Sequence, residues 1–67
     1  MPLHQFLRIM NNNTPVVLFD ISGSVIIKVS SKQDIPIDLY EYDVFQVSCG
    51  TFGGDTSKQA VHIMLEK

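Results

Sequence analysis

Four stretches of the chain alternate apolar and other residues with a period of two. Val17, Phe19 and Ile21 form the first row, and Val25, Ile27 and Val29 the second. Phe45, Val47 and Cys49 form the third, and Val61, Ile63 and Leu65 the fourth. Period two is the side-chain repeat of a half-buried strand, so the pattern predicts a four-stranded sheet with one dry face. Residues 2–10 follow a different rule. Leu3, Phe6, Leu7 and Met10 have the i, i+3, i+4, i+7 spacing of one helical face. Pro2 suits a first helical turn, where its missing N–H costs nothing. Asn11, Asn12 and Asn13 end the helix, and Thr14-Pro15 blocks its continuation. The expected class is α+β: one domain over residues 1–67, with a short N-terminal helix packed on a four-stranded, mainly antiparallel sheet. The sheet is either open or curled into a half-barrel.

Residues 16–21 and 25–29 read as a hairpin around Ser22-Gly23-Ser24. A three-residue loop sets Val17 opposite Val29, Phe19 opposite Ile27 and Ile21 opposite Val25, which keeps the apolar row on one face. A two-residue turn would set Phe19 opposite Ile26 and break the row, so the three-residue loop is expected. Residues 30–34 are polar and turn-like. Residues 36–41 read as a helical turn or irregular crossover, with Ile35, Leu39 and Tyr40 under the sheet. Strands follow at 43–49 and 59–66, separated by a flexible loop at 50–58 containing Gly53-Gly54-Asp55.

The other face of these strands carries Val16, Leu18, Asp20, Ser24, Ile26, Lys28, Val44, Gln46, Ser48, His62, Met64 and Glu66. A solvated sheet face is nearly all polar. Here Val16, Leu18, Ile26, Val44 and Met64 are apolar, enough to form a contact patch. One reading buries them against a second copy or another protein, which makes Val16, Leu18, Ile26, Val44, His62 and Met64 the interface candidates. The other lets the sheet curl over itself, or lets Tyr40, Tyr42 and Phe52 fold over the patch.

Size bears on that choice. A chain of 67 residues buries only ~60% of the surface its unfolded form exposes. Small domains of this kind usually add disulfides, a metal or a partner subunit. One cysteine excludes an internal disulfide, and His4 and His62 have no metal-ligand spacing. What remains is a homo-oligomer, with a dimer as first expectation, or an unusually efficient core. Apolar residues make up 45% and charged residues 18%, with a net charge of −2, which argues against nucleic-acid binding by bulk charge. The longest apolar runs are too short to cross a bilayer, and the N-terminus lacks signal-peptide order. No membrane association is expected. The chain reads as a whole gene product, and its lone Cys suits a reducing cytoplasm.

The candidate chemistry is sparse. Residues 50–58 look superficially like a phosphate loop, but Lys58 is not followed by Ser or Thr and a strand, not a helix, comes next. Hairpin turn is the simpler reading. Tyr40, Glu41, Tyr42 and Asp43 make an acidic, aromatic segment, read either as a solvated edge or as a contact for a basic partner surface. His62 has no nucleophile paired with it in sequence, so a surface or interface role outweighs that of a base. Cys49 falls on the apolar row, where a buried structural thiol is expected. Arg8, Lys28, Lys32, Lys58 and Lys67 are dispersed, while Phe52, Tyr40 and Tyr42 offer stacking surfaces. No catalytic residue, metal or cofactor is expected.

One resemblance covers most of the chain. The Asn-rich break after the helix is followed by Pro15-Val16-Val17-Leu18-Phe19-Asp20, Gly23 and Ile26-Ile27-Lys28-Val29. Then comes Ile35-Pro36-x-x-Leu39-x-x-Tyr42-x-Val44-x-x-Val47. This order resembles small accessory proteins of phages, plasmids and other mobile elements of Firmicutes-type bacteria, a class that includes anti-CRISPR proteins. The resemblance implies a non-enzymatic module in the host cytoplasm that occupies a partner surface, a CRISPR effector being one such partner. The alternative is a nucleic-acid-binding or DNA-processing module acting as an oligomer. An enzyme is the least favoured reading, since it needs an active site shared across subunits.

Overall fold

A computed structural model of the chain describes residues 1–52 and 55–66. Helix α1 spans Leu3–Arg8, and the strands are β1 (Val16–Phe19), β2 (Val25–Val29), β3 (Asp43–Phe52) and β4 (Asp55–Glu66). They form one open sheet in the order β2-β1-β4-β3. The hairpin pairs β1–β2 and β3–β4 are antiparallel, whereas the central pair β1–β4 is parallel. The expected α+β class is therefore found, with a parallel seam at its centre.

The helix forms where its apolar spacing demands. Leu3 and Leu7 are buried, and Phe6 and Met10 pack beside them. No side chain caps its start. Instead the Leu3 and His4 N–H groups donate to the carbonyls of Tyr42 (2.8 Å) and Tyr40 (3.2 Å), which satisfies donors that any helix start leaves open. At the other end Lys32 Nζ donates to the carbonyls of Leu7 and Met10. The segment from β2 to β3 is thus bonded to both ends of α1. It contains two short 3-10 turns, Lys32–Asp34 and Ile37–Leu39. Ile35 is buried, and Leu39, Tyr40 and Tyr42 pack against the core. This is the expected crossover beneath the sheet.

The core lies between this layer and one face of the sheet. Val16, Leu18, Val29, Ile63 and Leu65 meet Leu3, Leu7 and Ile35 there. The smallest dimension of the molecule is 17 Å. With layers about 10 Å apart, that thickness holds the sheet and one covering layer, so no layer of the described residues lies over the second sheet face.

Strand β1 corrects the sequence reading. Val16 and Leu18, assigned to the outer face, are fully buried in the core, so they are not available to a partner. Phe19, assigned to the dry row, lies on the opposite face. Two features cause the inversion. The hairpin pairs Val16 with Val29 and Leu18 with Ile27, then shifts between Leu18 and Phe19, where Phe19 faces Val25. Ile26 is the extra residue of this bulge. The loop is also displaced by one residue: Asp20 N–H donates to Ser24 O (2.9 Å) and Gly23 N–H to Asp20 O (3.0 Å). Its three residues are Ile21-Ser22-Gly23, with Gly23 in the third position at φ 93°. That is the left-handed site a glycine-bulge hairpin needs. Beyond the hairpin, Val16, Val17 and Leu18 are all buried. A central strand with apolar residues on both sides is a continuous apolar run, and alternation cannot tell its sides apart.

Strand β3 gives the second correction. Phe45, Val47 and Cys49 are exposed, not buried. The strand is an edge, its register slips between Val44 and Gln46, and the residues ahead of α1 meet it near its start, where Val44 N–H donates to Met1 O (2.8 Å). Val44, proposed for the outer face, pairs with Leu65 and packs on the core. The loop expected at 50–58 is shorter than predicted, because β3 and β4 stay paired out to Phe52 and Asp55. Gly53 and Gly54 lie outside the described residues.

Candidate functional site

The uncovered sheet face is built around His62. Residue 62 stands opposite Val17 on β1 and Ser48 on β3, which puts its side chain at the centre of the face. The ring packs at a tilt of 53° against Phe19, with centroids 5.2 Å apart. It also lies across Gly50: a Cβ built there would come within 2.4 Å of the ring. Its Nε2 is 2.9 Å from the carbonyl oxygen of Thr51. A carbonyl only accepts, so this nitrogen carries a proton and donates it.

Two hollows of about 210 Å³ each flank the Phe19–His62 pair. One is bounded by Gln46, Ser48 and Met64, the other by Val17, Val25 and Lys28. Met64 and His62, both expected on this face, are here. Ser48 is here as well, directly across from His62. The Thr51 carbonyl fixes the orientation of the His62 ring through its Nε2. His62 acts as a packing residue that shapes the face.

The remaining candidates separate. Tyr40 and Tyr42 pack against the core on the helix side, so they do not cover the open face. Glu41 and Asp43 are exposed beside them. Ile26 is exposed at the bulge. Cys49, expected to be buried, is an exposed free thiol on β3. A larger hollow of about 340 Å³ lies between α1 and the crossover, lined by His4, Arg8, Lys32 and Tyr40. Its Lys32 ammonium is held by the helix carbonyls and closes the seam between the two segments.

Among the described residues, no group of three or more His, Cys, Asp or Glu side chains could hold a metal ion, and no helix is long and apolar enough to cross a membrane. Asp20, at the hairpin turn, accepts hydrogen bonds from Ser22 Oγ (2.5 Å) and from the N–H groups of Ser22 and Ser24 (3.0 Å each). The Ser22 hydroxyl first, and the Ser24 N–H next, hold its carboxyl below the ordinary value of 3.8. This is turn chemistry. Sequence reasoning missed Phe19 and Gly50 as parts of the open face. Phe19 was hidden by the ambiguity of β1, and Gly50 by its resemblance to a loop residue. Comparisons with family models, curated proteins and solved structures found no match.

Proposed function

We propose that this chain is a small non-enzymatic protein-binding module of mobile-element type that acts by occupying a partner surface. The observation that carries the reading is the uncovered sheet face. It holds an aromatic pair between two hollows, with Val25 exposed at its rim, and its central imidazole packs against Phe19. Such a face binds by shape and apolar contact. The small core favours a homo-oligomer as the working form. Direct nucleic-acid action has less support: Lys32 is used internally and the chain carries a net negative charge.

The resemblance to mobile-element accessory proteins makes CRISPR effectors the first partners to try. Purified chain is added to effector nucleases of Firmicutes-type hosts, and retention and target cleavage are read together. Retention with loss of cleavage is expected, and both effects should disappear with Val25→Lys or Gln46→Lys. Equal retention by these variants rejects the face. Cleavage unaffected by the wild-type chain rejects the effector as its target.

A further inference from the structure

The two edges of the sheet are built differently. Strand β2 is short, is bulged at Ile26 and carries Lys28. These are the usual devices that stop an edge from pairing with another chain. Strand β3 is ten residues long and its register shifts only near its two ends, between Val44 and Gln46 and between Thr51 and Phe52, which leaves Gln46–Gly50 regular. From Val44 to Phe52 it carries no charge and no proline. Its outer side is covered at the start, where Pro2 bridges Asp43. Across Gln46–Gly50 it has β4 on one side and, among the described residues, no strand on the other. Val47 and Cys49 are exposed there on one face.

We infer that this edge pairs with the same edge of a second copy, antiparallel about a two-fold axis at Ser48. The segment is self-complementary in that register. Val47 of each copy meets Cys49 of the other, Ser48 meets Ser48, and Gln46 meets Gly50, so apolar groups face apolar groups. The charges select the same direction. Glu41, Asp43 and Glu66 gather at the base of the β3–β4 hairpin. At its tip Lys58 lies 5.8 Å over the Phe52 ring. Antiparallel pairing sets the acidic base of one copy toward the Lys58 end of the other. Parallel pairing would set three carboxylates against three. The product is a continuous sheet across two copies, with both His62 faces left open. The inference rests on the homo-oligomer part of the proposed function and names its surface.

Light scattering after size exclusion is expected to give twice the 7.5 kDa chain mass. Two Cys49 thiols would then be diagonal neighbours about 7–8 Å apart. A short bis-maleimide should link wild-type chains but not an Ile9→Cys/Cys49→Ser control. Val47→Lys should remain folded by circular dichroism and lose the dimer. Lys58→Glu and Asp43→Lys should each weaken the dimer, and an equal mixture of the two should restore it. That exchange decides the matter if Val47→Lys fails to fold. A wild-type monomer overturns both the edge and the oligomer. A dimer that survives Val47→Lys, resists linking at Cys49, or shows no restoration on mixing overturns the edge alone.

Discussion

The ring of His62 occupies the space that a side chain at Gly50 would need. A Cβ there would lie 2.4 Å from Cε1 and 2.8 Å from Nε2. The same ring packs against Phe19 and is bonded to the Thr51 carbonyl. Three strands therefore fix one imidazole, and the relief of the open face follows from the absence of a side chain at residue 50.

Gly50→Ala should displace that ring. The methyl cannot coexist with it, and the ring can leave only by giving up the Phe19 contact and the Thr51 bond. The bond contributes about 1 kcal/mol and the ring pair about 0.5–1.5 kcal/mol. The expected loss in urea unfolding is about 1–2 kcal/mol, with a change in the His62 ring signals by NMR. Unchanged ring signals would show that the strand, not the ring, absorbs the methyl.

Leu18 and Ile26 should respond oppositely to truncation. Leu18 has no exposed surface, whereas Ile26 is exposed at the bulge. Leu18→Ala should cost about 2–5 kcal/mol, a large part of the stability of a domain this small. Ile26→Ala should cost less than about 1 kcal/mol. Chemical denaturation of both variants checks the pair, and equal losses would contradict the side assignment of β1.

The difference between these two residues also shows what could be read in advance. The elements were legible because Leu3, Phe6, Leu7 and Met10 repeat as a helix does, and Val61, Ile63 and Leu65 as a strand does. The inward side of β4 was legible because its other side carries His62 and Glu66. The side of β1 was not, because Val16, Val17 and Leu18 are all apolar and the deciding facts are a bulge at Ile26 and a parallel pairing with β4. Exposure on β3 was hidden for another reason. Phe45, Val47 and Cys49 alternate like a buried row, and nothing local reveals that the strand is an edge. The open face inherited both ambiguities, so His62 and Met64 could be placed there and Phe19 could not.

Lys32 should stabilise the chain through the end of the helix. Its ammonium donates to the carbonyls of Leu7 and Met10, where a helix leaves acceptors open and its dipole favours a cation. Hydrogen bonds from a charged donor contribute about 1.5–3 kcal/mol each, but the group is only partly buried and water replaces some of that. Lys32→Met keeps most of the stem and removes the donor. A loss of about 1–2 kcal/mol is expected, with faster amide exchange at the helix and little change in β4. Uniform acceleration across the sheet would instead mean that α1 and the sheet unfold as one unit.

Asp20 should make the hairpin sensitive to acid. The Ser22 hydroxyl, then the Ser24 N–H, hold the folded carboxyl below its ordinary value of 3.8. A group with a depressed folded pKa adds stability above its unfolded pKa and loses it as pH falls through the folded value. Asp20→Ala should therefore melt at a lower temperature than wild type at neutral pH. The gap should persist down to about the ordinary carboxylate range and narrow below it, as protonation weakens the turn in the wild-type chain. Thermal melts of both proteins across the acid range test this. A gap of constant size throughout would assign the role of Asp20 to the shape of the turn rather than to its charge.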